Sequence, residues 1–236
     1  MIPPFTNITC IGFDADDTLW HSETFFKVTQ AQFYSLLADF IDRETLEVRL
    51  LAAEKRNIGH YGFGIKGFIL SMLETAIEVT SAQISAKVIW VIMEAGREML
   101  SHPIKLLPHA REAVISAARH HRIVLVTKGD LLDQERKLAQ SGIGDLFHGV
   151  EIVSAKTPKI YKAIFTRHGD GPERGLMLGN SMKSDVLPMI ACGGVGVFVP
   201  HGVAWALEEA KAPLNKERYF ELHDIGQLKA LLDDLG

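Results

Sequence analysis

Phe13-Asp14-Ala15-Asp16-Asp17-Thr18-Leu19-Trp20 closes the apolar run Thr9 to Phe13 and sets three carboxylates and a hydroxyl at its end. In an open parallel sheet the carboxyl ends of the strands are where ligands bind, so acids at that point face a crevice rather than a core. Asp14 and Asp16 stand two residues apart, and in extended chain both side chains project to the same side. Like charges crowded this way are costly unless a cation sits among them. Alone, the cluster also reads as a solvated turn in which Asp17 and Thr18 cap the next element. The decision lies in the groups that the rest of the chain brings to the same edge.

Working outward, short apolar runs recur at Ile123 to Val126, Val150 to Val153, Leu176 to Leu178 and Val195 to Val199, with a weaker one at Arg218 to Leu222. Between them lie stretches of helical spacing, Asp133 to Gln140 and Pro158 to Arg167, each set off by Pro or Gly. Strand, helix, strand in repetition predicts an α/β fold, a doubly wound parallel sheet with crossover helices. Near the end of the chain, Asp224 is positioned to cap a helix whose apolar positions are Ile225, Leu228, Leu231 and Leu232.

The interval 21–102 breaks the alternation. It reads as four successive helices without a strand, an all-helical insert between core segments 1–20 and 103–236, with the core's first helix starting at Pro108. Its clearest helix places Ile65, Phe68, Ile69, Met72, Leu73, Ala76 and Ile77 on one stripe, with Ser71, Glu74, Thr75 and Glu78 opposite. Ahead of it, His60 to Gly67 reads as a glycine-punctuated loop, either a plain connector or a segment that selects the leaving group.

Each later strand end contributes chemistry of its own. Ile123-Val124-Leu125-Val126-Thr127-Lys128-Gly129-Asp130 offers a Thr127 hydroxyl and a flexible glycine, a seat for a phosphoryl oxygen. Ser154-Ala155-Lys156-Thr157-Pro158-Lys159 offers Lys156, a compact cation preferred over Lys159, which falls on the exposed face of the following helix. Leu178-Gly179-Asn180-Ser181-Met182-Lys183-Ser184-Asp185 adds Asn180, Ser181 and Asp185. Acid pair, hydroxyl, lysine and acid at four strand ends form a combination that chance does not supply.

With these motifs in place, the chain resembles the haloacid dehalogenase-like hydrolase superfamily over its whole length, and by that resemblance the insert 21–102 is an all-helical cap domain. Asp14-Ala15-Asp16-Asp17-Thr18, Thr127, Lys156 and Gly179-Asn180-Ser181 with Asp185 match that family's four motifs in order. The resemblance implies a Mg2+-dependent phosphatase acting on a small phosphorylated metabolite. Asp14 would be the nucleophile that forms an aspartyl-phosphate, and Asp16 the general acid and then base. Thr127 and Lys156 would hold the phosphoryl group, with further phosphate contacts from Ala15, Asp17, Lys128 and Asn180. The metal ligands would be the Asp14 carboxylate, the Asp16 backbone carbonyl and Asp185, an all-oxygen set suited to Mg2+. Two positions depart from the family pattern: Asp17 stands where Gly is usual, and Asn180 where an acid is common, which predicts weaker metal binding.

Other chemistries of the same family frame the alternatives. A 2-haloacid dehalogenase needs only the first Asp, a phosphonatase needs a cap amine for which Lys66 is the sole candidate, and a phosphomutase shares the acid pair. A non-catalytic phosphate-binding module is favoured only by Asn180. Nucleotide-binding oxidoreductases are disfavoured, because Cys192-Gly193-Gly194-Val195-Gly196 does not complete GxGxxG and precedes a strand. A net charge of -4 with scattered Lys and Arg argues against nucleic acid as a partner. The N-terminus lacks the pattern of a signal peptide and the apolar segment Met189 to Val199 is too short to span a bilayer, so a cytoplasmic location without membrane contact is expected. Cys10 and Cys192 lack metal or redox spacing and read as buried small hydrophobes. Oligomeric state is not legible in the sequence.

Overall fold

A computed structural model describes residues 7–202 and 205–235. Among these residues are six strands, β1 (Cys10–Phe13), β2 (Arg122–Lys128), β3 (Gly149–Val153), β4 (Gly175–Gly179), β5 (Val195–Phe198) and β6 (Tyr219–Glu221), with an α-helix between each consecutive pair from β2 to β5 and a 3-10 turn between β5 and β6. The helices are α1 (Glu23–Leu36), α2 (Arg43–Tyr61), α3 (Ile65–Val79), α4 (Ala86–Ser101), α5 (Ala110–Ala118), α6 (Leu131–Ser141), α7 (Pro158–His168), α8 (Leu187–Ala191) and α9 (Leu228–Leu235). The chain divides into two compact units, one of Met1–Glu23, Ile104–Lys128 and Gln134–Gly236, the other of Thr24–Pro103 and Gly129–Asp133.

The first unit is a wholly parallel sheet in the order β3-β2-β1-β4-β5-β6. β1 is central, and all four of its residues are buried, as a strand covered on both faces requires. Strand residues alternate between two cores. Ile11, Phe13, Ile123 and Leu125 pack with Val114, Leu228 and Leu235 of α5 and α9. Cys10, Val124, Val126 and Met177 pack with Tyr161, Ile164, Phe165 and Met189 of α7 and α8. Gly12 permits this second packing, since a Cβ there would lie 2.8 Å from Met177 Sδ and 3.0 Å from Phe165 Cζ. Successive strands run outward from β1 to β3 on one side and then resume at β4 on the other. The order therefore reverses beside β1, and a crevice opens at the carboxyl ends of β1 and its neighbours.

The second unit contains the four expected helices around a core of Phe33, Leu37, Leu46, Leu50, Ile65, Phe68, Met72 and Ile92. Asp42 caps α2 by accepting the Thr45 N–H at 2.9 Å, and Ser85 caps α4 through Val88. Two details differ from the periodicity reading. α2 continues through His60 and Tyr61, and α3 starts at Ile65, so the connector is only Gly62 to Gly64. Gly62 and Gly64 both have positive φ, which glycine adopts without strain. The buried arc of α3 is also rotated: Ser71 and Thr75 are buried while Ile77 is exposed. Ser71 donates to the Gly67 carbonyl at 2.8 Å and accepts from Asn57, and Thr75 donates to the Ser71 carbonyl, so their burial leaves no hydroxyl unsatisfied.

Two smaller differences concern the first unit. α5 starts two residues after Pro108, because His109 adopts a left-handed φ of 65° before it. Cys192 is half-buried rather than buried. The signal-peptide reading rests largely on residues 1–6, outside the described residues; among the described residues no helix is long and apolar enough to cross a membrane.

Phe165 is fully buried against β1 and β4, so Phe165→Ala should destabilise the sheet unit by about 3–5 kcal/mol. A clearly lowered urea midpoint followed by far-UV circular dichroism would register this, and an unchanged midpoint would contradict the packing described.

Candidate active site

The β1 ladder continues one residue past the strand, where the Asp14 N–H donates to the Leu178 carbonyl at 2.9 Å. The chain then turns sharply: Thr18, Leu19 and Trp20 all donate their N–H groups back to the Ala15 carbonyl. This turn fixes the side chains of the first motif in different directions. Thr18 Oγ1 donates to Asp14 Oδ2 at 2.9 Å, orienting the carboxylate. Asp17 adopts φ 58°, the left-handed region in which glycine costs nothing and aspartate is tolerated. In exchange its carboxylate accepts the N–H groups of Ser22 and Glu23 at 2.9 and 2.8 Å, satisfying donors at the start of α1. His201 Nδ1 lies 3.7 Å from the same carboxylate. That engagement gives Asp17 a structural task at this turn.

Lys156 reaches the same point from the loop after β3. Its ammonium, buried with its partners, donates to Asp14 Oδ1 and, at 2.6 Å, to Asp185 Oδ1. Burial opposes the lysine's charge, but the two carboxylates overcome it and hold the ammonium protonated. Burial likewise pushes Asp14 up to about 7, against the pull of Lys156. Lys159, by contrast, is exposed on α7, as the spacing predicts.

Asp185 comes from a π-helical turn, Met182–Val186, a feature common at functional sites. Its Oδ2 accepts the Ser181 N–H at 2.9 Å. Gly179 makes this approach possible, because a Cβ there would overlap the Asp185 carboxylate. Asn180 lies beside the first motif, where its backbone N–H donates to Thr18 Oγ1 at 3.1 Å. Asp14, Asp185, Lys156 and Asn180 are thus one cluster. Among the described residues no three His, Cys, Asp or Glu side chains form a metal-holding group. The oxygens that gather here are two carboxylates and a backbone carbonyl.

Asp16 points elsewhere. Its carboxylate accepts from Trp20 Nε1 at 2.8 Å, Gln134 Nε2 at 2.9 Å, and Lys137 Nζ at 2.9 and 3.2 Å. Burial disfavours its charge, yet the Lys137 ammonium and these hydrogen bonds prevail and hold its pKa below the ordinary aspartate value. Gln134 also ties the first motif to the second, since its Oε1 accepts from Thr127 Oγ1 at 3.3 Å. Lys128, next to Thr127, turns toward the fourth loop, where it pairs with Glu208 and donates to Ser184 Oγ at 2.8 Å. Glu208 Oε2 in turn accepts from Ser181 Oγ at 2.6 Å.

Gln134, Lys137 and Glu208 are the site residues that the sequence reading did not single out. α6 buries Gln134 and Lys137 together with Asp133 and Ser141, a polar stripe at helical spacing, while Leu131 and Leu132 at its start are exposed. A helix whose buried face is polar is itself a signal that something charged lies opposite. Glu208 stands in a short 3-10 turn, Ala206–Glu208, and carries no such signal.

In the wild type, the ion pair's contribution through Asp16 is fully present above 3.8 and is lost as pH falls through its lower folded value. Lys137→Met should therefore cost roughly 1–3 kcal/mol at neutral pH, less than a wholly buried pair because the Asp16 side chain is 27% exposed. The deficit should close in acid. Thermal melts of both proteins from pH 7 to pH 3 check this, and a deficit independent of pH would contradict the pairing.

Comparison with known proteins shows the family. The family model for haloacid dehalogenase-like hydrolases matches residues 8–193. A solved haloacid dehalogenase-like family hydrolase from Xanthomonas campestris is 41% identical, with a TM-score of 0.85 over 98% of this chain and 92% of that one. At lower identity the fold is shared with a predicted phosphoglycolate phosphatase from Haemophilus somnus (16% identity, TM-score 0.63, covering 98% and 99%). It is shared equally with an L-2-haloacid dehalogenase from Xanthobacter autotrophicus (15%, TM-score 0.62, 96% and 98%). No curated protein matches. The chain therefore belongs, over most of its length, to the haloacid dehalogenase-like hydrolases.

Proposed function

We propose that the chain is a Mg2+-dependent phosphatase that hydrolyses a small phosphorylated metabolite through an aspartyl-phosphate on Asp14. The observation that carries this reading is Asp16, a second carboxylate two residues from the nucleophile and held by its own set of donors. Displacement of halide from carbon needs no such group, whereas an alkoxide leaving phosphorus needs a proton and the second step needs a base. The predicted phosphoglycolate phosphatase and the L-2-haloacid dehalogenase, each below 20% identical, share only the fold with this chain, so neither decides between the two chemistries.

The residues present fit the metal that the family implies. Asn180 lies within 3.2 Å of both the Asp16 carbonyl and Asp14 Oδ2, so these hard oxygens converge, and Asp185 joins them through Lys156. Mg2+ held there would offset the repulsion between the anionic substrate and Asp14. The protein's own groups do the rest. Lys156, kept protonated, and the Thr127 hydroxyl take phosphoryl oxygens. A carboxylate oxygen of Asp14 attacks phosphorus while the bond to the leaving oxygen breaks, and Asp16 gives that oxygen a proton. Asp16 then removes a proton from water, which attacks the same phosphorus; the Asp14–phosphorus bond breaks, releasing inorganic phosphate and restoring the carboxylate.

As it stands, Asp16 is held ionised, the form needed in the second step. To donate in the first, it must exchange the Lys137 ammonium for a proton. The 21–102 helices would serve as a cap that selects the substrate and excludes bulk water. Lys66 is a poor Schiff-base amine, because its side chain is 56% exposed and its Nζ lies 3.5 Å from Asp130.

Release of inorganic phosphate from a panel of sugar phosphates, nucleotides and an aryl phosphate, with and without Mg2+, tests this reading. Turnover should require the metal, vanish in Asp14→Asn and fall by about 10²–10⁴-fold in Asp16→Asn. Consumption of a halogenated acid with no phosphate released from any compound would overturn it.

A further inference from the structure

Asn180 touches the two oxygens that its neighbours would lend to a metal. Its position is fixed, because its backbone N–H is bound to Thr18 Oγ1, and Thr18 is bound to Asp14. From there the side-chain amide lies against three oxygens, the Asp16 backbone carbonyl, Asp14 Oδ2 and Thr18 Oγ1. Turned with Oδ1 inward, it sets its oxygen against all of them, including Thr18 Oγ1 at 3.3 Å, whose one proton is already given to Asp14, an arrangement that is stable only with a cation among them. Turned with Nδ2 inward, it has two hydrogens to share among the Asp16 carbonyl at 3.2 Å, Asp14 Oδ2 at 3.2 Å and Thr18 Oγ1 at 3.3 Å.

An ionised carboxylate in the same place has only the first of these states. It accepts and does not donate, and it would add a third negative charge to Asp14 and Asp185, where the ammonium of Lys156 offsets one. The departure from an acid at this position therefore does more than remove a ligand charge.

We propose that Asn180 gives the site two self-consistent states, with its NH2 turned inward to hold Asp14 and the Asp16 carbonyl in the absence of metal, and its Oδ1 turned inward to ligate Mg2+. Metal and amide NH2 compete for the same oxygens. The cost is affinity for the ion, and the gain is a site that stays ordered without it. This inference rests on the ligand assignment made under the proposed function but not on the substrate.

The test compares wild type, Asn180→Asp and Asn180→Leu by Mg2+ titration calorimetry and by thermal melting with EDTA or saturating Mg2+. Asn180→Asp should bind Mg2+ about tenfold more tightly or better. It should melt below wild type in EDTA and recover in Mg2+, while wild type loses little on chelation. Asn180→Leu, equal in size but without an amide, should melt below wild type in EDTA and fail to recover in Mg2+. Should Asn180→Asp not fold without metal, the leucine variant still decides the matter. Melting of the leucine variant at the wild-type temperature, or an aspartate variant that binds no more tightly or melts at or above wild type in EDTA, would overturn the proposal. Neither measurement uses a substrate, so inactivity on every phosphate ester would refute the proposed function and leave this result to stand separately.

Discussion

One buried ammonium holds this site together. Asp14 at the end of β1 and Asp185 after β4 are brought side by side by the pairing of those strands, and both are nearly inaccessible to water. Two carboxylates in that position repel each other and lose hydration, a cost that a cation between them offsets. Lys156 supplies it by donating to both. The arrangement fixes the requirements for everything around it. β3 must end where its following loop can drive a lysine inward, Gly179 must lack a side chain so that Asp185 can approach, and Thr18 must turn back to hold Asp14 from the other side. The same ammonium that stabilises the resting cluster is the group that would receive a phosphoryl oxygen.

The two carboxylates of the first motif, although two residues apart, live in different surroundings, and this difference is the basis for assigning them different roles. Asp14 is buried beside another acid, and its charge depends on Lys156. Asp16 is held by Trp20, Gln134 and Lys137, three donors that have no part in the other cluster. Separation of environments is how a single loop carries a nucleophile and a proton carrier. Gln134 joins the first motif to the second, since it holds Asp16 with one end of its amide and Thr127 with the other. Lys128 and Glu208 form a further pair that braces the fourth loop through Ser181 and Ser184, so the cations near the crevice have distinct partners.

Much of this was legible in the sequence, for identifiable reasons. The central strand showed because both its faces are apolar, and the strand ends showed because polar residues come abruptly after them, as at Asp14, Thr127 and Asn180. The four helices of 21–102 showed through their apolar spacing. Polar burial escaped. Gln134 and Lys137 occupy the inner face of α6, where a reading by hydrophobicity places solvent, and Ser71 and Thr75 do the same on α3 by returning their hydroxyls to the helix backbone. Asp17 read as a departure from glycine. Only the backbone angle and its bonds to Ser22 and Glu23 show how an aspartate meets that turn's demand. Glu208 lies in a stretch of irregular chain, where no periodicity relates a residue to its partners.

The central claim is that Asp14 attacks phosphorus and that water later attacks the same phosphorus, not the carbon of the aspartyl ester. A single turnover with enzyme in excess, run in 18O-labelled water on the best phosphate ester and followed by mass spectrometry of phosphate and of the peptide containing Asp14, separates the two directly. The account predicts label in the released phosphate and none in Asp14. Label in the Asp14 carboxylate would mean that water had attacked carbon, and would contradict it.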